Sequence, residues 1–350
     1  MLFYSSSVKA GRAENVIAFR NALTFAGGDN IGMENSASNV TIERCVSAKA
    51  AAQGIESWYG DKGIRILNCS VEANAFGNET GSISETAGIR IHANDSLVAY
   101  SLIRDNFGHG IAVVRYNKDV FNVTITRNSI YNNTKLGIDL VNADNLEIAK
   151  RGDNVTLNDG LLNCSMANCG VDYPVITISE LDGDQLYVEG FIGNESIGGS
   201  SNFANASIEI YLVRNSTNGD SLIGNNWSNS SQLPRYYGEG WIYLGSLNAD
   251  SSGYFSGYIN VAGKGVDSGS IITAMTIFGG NSSEFGPNAR ISKKLNVSAE
   301  ISLYGMNATI KVRAHENARD VTVYWIKPYG VSVTFSGDYN SNGSSGSVYN

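Results

Sequence analysis

Residues able to do chemistry recur on one face of a repeated strand. After Gly54, Gly88, Gly110 and Gly137 the chain continues with Ile and then alternates. The positions facing away from that Ile read Glu56 and Trp58, then Arg90 and His92, then Ala112 and Val114, then Asp139 and Val141. A carboxylate, a guanidinium, an imidazole and an indole on neighbouring strands could line a sugar-binding groove. A catalytic site of this kind needs clustered acids, often around Ca²⁺, and one mixed row does not supply them. The spacing therefore predicts a solvated Glu56–Arg90 pair beside an exposed Trp58–His92 contact. Asp also recurs, seven residues after the Gly at Asp61, Asp95 and Asp144, and nine after it at Asp119. Asx turns closing each repeat account for this pattern, with a calcium-binding column as the alternative. His109, in Gly108-His-Gly110, reads as a turn residue. No Ser-His-Asp arrangement, phosphate loop or H-E-x-x-H is found, and no cofactor or metal site is expected.

The elements that must carry this row are short. Five β-rich runs stand at 16–19, 40–45, 64–69, 97–101 and 123–128. The steps Ile42 to Ile66, Ile66 to Val98 and Val98 to Ile125 are 24, 32 and 27 residues. Each run is followed or preceded by a Gly-Ile strand whose first and third residues after Gly are mostly apolar. Such strands cannot bury an apolar face alone. They can if coils stack and each strand pairs in parallel with the next. A right-handed parallel β-helix of about five to six coils is expected. Aligning the coils puts Cys45, Cys69, Ser101 and Asn128 in one inward column, the pattern of a side-chain ladder.

From Tyr173 the period changes. Strands expected at 174–180, 185–191, 206–213, 241–248, 253–260, 270–278 and 289–292 suggest a β-sandwich of Ig or fibronectin type. The Asn/Ser stretch 214–237 reads as a surface loop. Four more strands, at 296–304, 307–314, 320–326 and 330–336, form a partial third unit with open edges before a flexible tail. The all-β chain is thus divided into a β-helix over 1–165, a sandwich over 166–294 and a partial β unit over 295–350. That last unit is expected to be completed by strand addition from another copy of the chain or from residues outside it.

Composition narrows the class. The net charge of −8 and pI near 5.0 argue against nucleic acid or an anionic membrane as partner. Only 17% of residues are charged, yet 42% are hydrophobic, so cores can form and something other than charge must solvate the surface. Asn, Gly and Ser number 39, 39 and 41. N-x-S/T occurs at Asn39, Asn68, Asn78, Asn94, Asn122, Asn132, Asn154, Asn163, Asn194, Asn205, Asn215, Asn226, Asn229, Asn281, Asn296, Asn307 and Asn342, far above chance pairing. The reading is N-glycosylation outside the cell, with sugar expected on several of Asn39, Asn122, Asn205 and Asn281. The first residues, Met1-Leu-Phe-Tyr4 and then Ser, show no signal-peptide pattern, so a longer or processed precursor is expected. Cys164 and Cys169 could close a small ring. Cys45 and Cys69, one repeat apart, could form a second disulfide or stay as buried thiols.

Gly137-Ile-Asp-Leu140, Asn158-Asp-Gly160 and Tyr173-Pro-Val-Ile176 resemble the end of the repeat region in secreted bacterial and archaeal parallel β-helix surface proteins. Gly238-Glu-Gly240, Tyr243-Leu-Gly-Ser246, Asp250-Ser-Ser-Gly253 and Gly280-Asn-Ser-Ser-Glu-Phe285 resemble the tail of the β-sandwich that follows in that family. The resemblance spans residues 15–292 and implies architecture more than activity. Where the family has an acidic loop this chain has Asn163-Cys-Ser-Met-Ala-Asn-Cys169, so no calcium is expected there. The expectation is a glycosylated extracellular structural protein without catalysis, a surface-layer, filament or adhesin subunit whose main partner is itself. The alternative is a carbohydrate-active β-helix enzyme or a glycan-binding adhesin. On a resemblance to polysaccharide lyases, Arg90 would be the base and Glu56 or Asp95 its charge partner.

Overall fold

The computed structural model describes residues 8–11, 17–19, 22–24, 27–34, 36–58, 60–79, 87–214, 237–294, 298–304, 307–313, 322–326 and 332–336. The chain forms two compact units, residues 1–292 and 293–350. In the first, three parallel sheets stack the coils of a β-helix. The first sheet takes Val8–Gly11, Ile31–Glu34, Ile55–Ser57, Ala87–Ile91, His109–Arg115 and Ile138–Asn142. The second runs from Ile17–Phe19 through Thr41–Glu43, Arg65–Leu67 and Ser96–Ala99 to Val123–Thr126. Its register pairs Ile42 with Ile66, Ile66 with Val98 and Val98 with Ile125, the steps read from the sequence. A third sheet, which the sequence reading does not separate, takes Ala22–Thr24, Val46–Ala48, Ser70–Glu72, Leu102–Arg104 and Ser129–Tyr131.

Each coil turns at three corners, and the corners are made by left-handed residues. Arg44, Asn68, Tyr100 and Arg127 have φ of 54°, 52°, 55° and 50° at one corner. Lys49, Ala73, Asp105 and Asn132 make the second, and Asn39, Gly63, Asp95 and Asn122 the third. Left-handed φ costs most residues roughly 1–2 kcal/mol and Asn least among those with a side chain. Much of the asparagine in this half therefore has a backbone cause.

The residue after each corner points inward. Ile31, Ile55, Ile89, Ile111 and Ile138 of the first sheet pack against Ile42, Ile66, Val98 and Ile125 of the second and Val71, Ile103 and Ile130 of the third. Two columns are polar. Cys45 N donates to Cys69 Sγ (3.4 Å), Cys69 N to Ser101 Oγ (3.1 Å) and Ser101 N to Asn128 Oδ1 (2.9 Å). Cys45 and Cys69 are free buried thiols, so the second of the two expected disulfides is absent. The Cys69 sulfur acts as a rung of the ladder, and burial pushes its thiol up to about 11, away from the reactive thiolate. Cys164 and Cys169 are joined.

The other ladder runs through Asn30, Asn74, Asn106 and Asn133. The Asn106 Oδ1 accepts from Asn74 N (3.0 Å) and Asn74 Nδ2 (3.1 Å), while its Nδ2 donates to Val71 O (3.2 Å) and Asn133 Oδ1 (2.8 Å). A Cβ at Gly54 or Gly88 would lie 2.6 Å from the amide of Asn74 or Asn106, which is why Gly opens these strands. Replacing Asn106 with Leu orphans several buried polar groups, each worth about 1–3 kcal/mol. Urea unfolding should show about 2–5 kcal/mol lost. A change below about 1 kcal/mol would mean that the ladder is not a stabilising element.

Two antiparallel sheets pack beyond the last coil. One orders Tyr254–Asn260, Gln185–Ile192, Pro174–Asp182 and Ser292–Lys293. The other orders Ile242–Asn248, Ser207–Leu212, Ile271–Phe278 and Asn281–Phe285, with Ala289–Arg290 pairing Ile271–Phe278. Leu186, Val188, Phe203, Ile208, Ile210, Phe255 and Ile272 fill the space between them. The strand Asn281–Phe285 has no counterpart in the sequence reading and is buried along its length. The second unit contains two hairpins, Ser298–Tyr304 with Asn307–Arg313 and Thr322–Ile326 with Ser332–Ser336. The expected tail, and the 215–236 part of the expected loop, lie outside the described residues.

Candidate functional site

The sandwich ends the β-helix chemically. A stacked coil leaves a row of N–H groups with no strand above them. Here side chains of the sandwich accept them. Glu284 takes Leu140 N (2.9 Å) and Thr156 N (3.1 Å), and Glu239 takes Asn133 N (3.3 Å) and its Nδ2 (2.8 Å). Glu209 takes Arg127 N (3.1 Å), and Ser282 Oγ takes Ile125 N (2.8 Å). Asn281 Oδ1 takes Asn122 N, while its Nδ2 donates back to Phe278 O and Gly279 O. At 8% exposure, with its amide engaged on both sides, Asn281 has no room for a sugar, and the expected glycan there is corrected. Asn39, Asn68, Asn122, Asn154, Asn163 and Asn205 are exposed, and Asn94, Asn132 and Asn194 half-buried.

The outward row of the first sheet is not solvated. Glu56 pairs in register with Arg90, and the two side chains form an ion pair at 3% and 1% exposure. Trp58, half-buried, covers them: the Arg90 guanidinium carbon lies 5.1 Å from its ring centroid. The His92 ring stacks on Trp58 at 5.4 Å and 10°. His92 is 2% exposed and neither ring nitrogen has a hydrogen-bond partner of normal geometry. Burial first, then the Arg90 charge, lowers it to about 3, against a weaker opposite pull from the Val114 carbonyl. Its imidazole is therefore uncharged in neutral solution, with a free lone pair. The expected solvated pair is thus corrected: a buried cation, a neutral imidazole and an indole meet on two adjacent coils.

Arg90 as a base is corrected too, because it is held as the cation of a buried pair. Asp95 is not its partner; it is exposed at a corner, accepting from Asn122 Nδ2 at 2.7 Å. The other Asp residues also serve turns or the surface. Asp61 accepts from Ala37 N (2.7 Å) and Trp58 N (2.9 Å), Asp119 faces Arg115 at 3.4 Å, and Asp144 is exposed.

Asp139 shares the column but stands two coils beyond Arg90, past Ala112. It belongs to a second buried cluster. His109 Nε2 lies 3.1 Å from its Oδ2, and the loop after helix Leu146–Arg151 crosses above, where Gly152 leaves no space for a side chain. His109 is thus a buried member of this cluster rather than a plain turn residue. Burial, then Glu284 and Asp153, raise Asp139 well above the usual carboxylate range; burial, then Lys135, lower His109 to about 3. Burial also outweighs the two N–H donors on Glu284 and raises it to about 8. Sequence reasoning missed Glu284 because nothing in Asn-Ser-Ser-Glu-Phe marks a buried strand.

These shifts give unit 1 a two-sided pH profile. His92 and His109 titrate near 6.5 unfolded and near 3 folded, so their contribution is lost as pH falls through that window. Glu284 titrates near 4.5 unfolded and near 8 folded, so its contribution is lost as pH rises through that window, and Asp139, raised in the same direction, also loses its contribution as pH rises. The sets oppose one another from 4.5 to 6.5 and act singly outside it. Each group acts with at most about 1.4 kcal/mol per pH unit. Thermal melts should peak in mildly acidic buffer and fall on both sides; a plateau up to pH 8 would contradict the buried carboxyls.

The fold and these clusters define a parallel β-helix protein with a β-sandwich seated on its last coil. No family model matches the sequence. Over 95% of its length the chain is similar to full-length tailspike protein 2 of an Escherichia coli O157:H7 bacteriophage, at 11% identity and TM-score 0.28, covering 53% of that chain. Over 79% it is similar to the enzymatically active domain of tailspike protein 2 of bacteriophage CBA120, at 11% identity and TM-score 0.22, covering 56% of that chain. The chain thus spans about half the length of these structures. The second of them is an enzymatically active domain. The expectation of a chain without catalysis is not carried forward.

Proposed function

We propose that this chain is a carbohydrate-active β-helix enzyme acting outside the cell, and that it cleaves an acidic polysaccharide by elimination at the Trp58, Arg90 and His92 site. One observation carries this reading: His92 is buried and neutral, has no hydrogen-bond partner of normal geometry on its ring, and lies beside a fixed cation under a half-buried Trp. Buried unpartnered groups of this kind cost stability and concentrate at functional sites. A buried ion pair adds little stability over apolar packing, so Glu56–Arg90 also fits a functional role.

Trp58 supplies the ring on which a sugar stacks. Arg90, oriented by Glu56, and His92 lie beneath Trp58, so the indole swings aside as substrate enters and the sugar carboxylate then pairs with Arg90. That carboxylate offsets the positive charge that depresses His92, and the imidazole becomes a stronger base as substrate binds. His92 then takes the proton from the carbon beside the carboxylate. A double bond forms there, and the glycosidic oxygen leaves with its electron pair and takes a proton from water. Exposed sequons on the corners support a glycosylated, extracellular setting.

The test is turnover of polygalacturonate, alginate and chondroitin, with dextran and mannan as neutral controls, by the full-length chain. Ultraviolet absorbance from an unsaturated product together with new reducing ends on an acidic polymer is the expected result. Reducing ends without absorbance would overturn the elimination, and no cleavage of any acidic polymer would overturn the reading.

A further inference from the structure

A second set of aromatic residues stands on the sandwich, away from the β-helix row. In the sheet built on Gln185–Ile192, the outward residues form cross-strand rows. Tyr187 pairs with Tyr258, Glu189 with Ser256, and Phe191 with Tyr254. The ring centroids are 5.0 Å apart in the Tyr187–Tyr258 pair and 6.0 Å in the Phe191–Tyr254 pair. Tyr258 is 58% and Tyr254 47% exposed, on the edge strand of the sheet. The inward residues between them, Leu186, Val188, Phe255 and Ile259, fill the core, and of the outward rings Tyr254 also packs against Gly198 and Gly199.

The row between the two aromatic pairs is polar. Tyr187 Oη donates to Glu189 Oε2 at 2.8 Å, and Ser256 faces Glu189. The next strand adds Glu180 opposite Tyr187 and Ile178 opposite Glu189. Tyr187 and Phe191 are four residues apart on one strand, about 13 Å. The face thus offers two ring platforms, carboxylate and hydroxyl groups between them, and no cation in these rows.

We infer that this sheet face is a binding site for a neutral polysaccharide chain, distinct from the cleavage site. Aromatic faces stack on the C–H faces of sugar rings, and the Glu189–Ser256 row meets sugar hydroxyls. Carboxylates with no neighbouring cation repel an acidic glycan. A dry protein interface would bury the Glu189 charge without a counter-charge, which is costly. A polyhydroxylated, uncharged, extended ligand satisfies both the rings and the acids.

Affinity electrophoresis of the full-length chain through gels holding hydroxyethylcellulose, mannan, dextran or polygalacturonate tests this, alongside Tyr254→Ala with Tyr258→Ala and, separately, His92→Gln. Expected are retardation by at least one neutral polymer, a tenfold or greater loss in the double Tyr variant with cooperative unfolding retained well above the assay temperature, and parent-like retardation for His92→Gln. Turnover of small acidic oligosaccharides should be unchanged in the Tyr variant, which separates this site from the cleavage site. The inference is overturned by retardation in polygalacturonate alone, by no retardation, or by a double variant that binds as the parent does. It is equally overturned if sedimentation shows that the Tyr variant only dissolves a dimer.

Discussion

A chain carrying His92→Gln will fold with near-parental stability and lose acidic-polysaccharide turnover by about 10² to 10⁴-fold, the range of a positioned general base. Gln is uncharged and of similar length, its amide N–H can serve the Val114 carbonyl, and the ring has no hydrogen-bond partner of normal geometry to lose, so only the stacking on Trp58 is given up. A merely structural histidine would give the opposite result, a lower melting temperature with turnover kept. Arg90→Met alone strands Glu56 as a lone buried carboxylate and should unfold the coil. The paired variant Glu56→Gln with Arg90→Met removes both charges and should fold, while KM for the acidic polymer rises and kcat falls. The Arg90 charge is also the second cause of the low His92 value. In the paired variant the imidazole should therefore titrate higher, visible as a shifted histidine resonance. Unchanged turnover in both variants would rule out this site as the cleavage site.

Removing the carboxylate caps will have the largest effect on stability. Glu284→Met leaves Leu140 N–H and Thr156 N–H without acceptors at a buried edge. Each orphan costs about 1–3 kcal/mol, so about 2–5 kcal/mol is expected at pH 6. The loss should shrink near pH 8, because the variant also removes a buried acid that resists ionisation. Combining it with Glu209→Met and Glu239→Met also strips Asn133 N and Thr126 Oγ1 of their acceptors and removes one acceptor each from Arg127 N and Asn133 Nδ2. The sum then approaches the roughly 5–15 kcal/mol that holds a domain together. The triple variant should lose cooperative unfolding and aggregate through the exposed parallel edge. Hydrogen exchange in the single variant should rise first in Ile138–Asn142. Uniform exchange along all coils would show that the caps do not guard the end.

The coil register was legible because inward apolar residues recur at steps set by the pairing itself. Ile42, Ile66, Val98 and Ile125 mark it, and the pairs observed are those. The Cys45, Cys69, Ser101, Asn128 column followed from the same alignment. The third sheet was hidden because its single inward residues, Val71, Ile103 and Ile130, sit in runs too short to show alternation.

The chemistry of the site was legible only in kind. Alternation put Glu56, Trp58, Arg90 and His92 on one face, since a strand has period two. It could not say whether that face is wet, because burial depends on what packs over it. Trp58 folding across Arg90 and His92 makes a neutral imidazole of a residue that would otherwise titrate near neutrality. Asn281–Phe285 is the sharpest case: a polar stretch to which the sequence pattern assigned no element is a buried strand, because the open end of the β-helix needs acceptors and this strand brings them. Local pattern determined the repeat, the register and the facing of each residue. Only the tertiary structure decided which polar groups leave water, because that depends on partners distant in the chain, such as Glu284, 144 residues from Leu140.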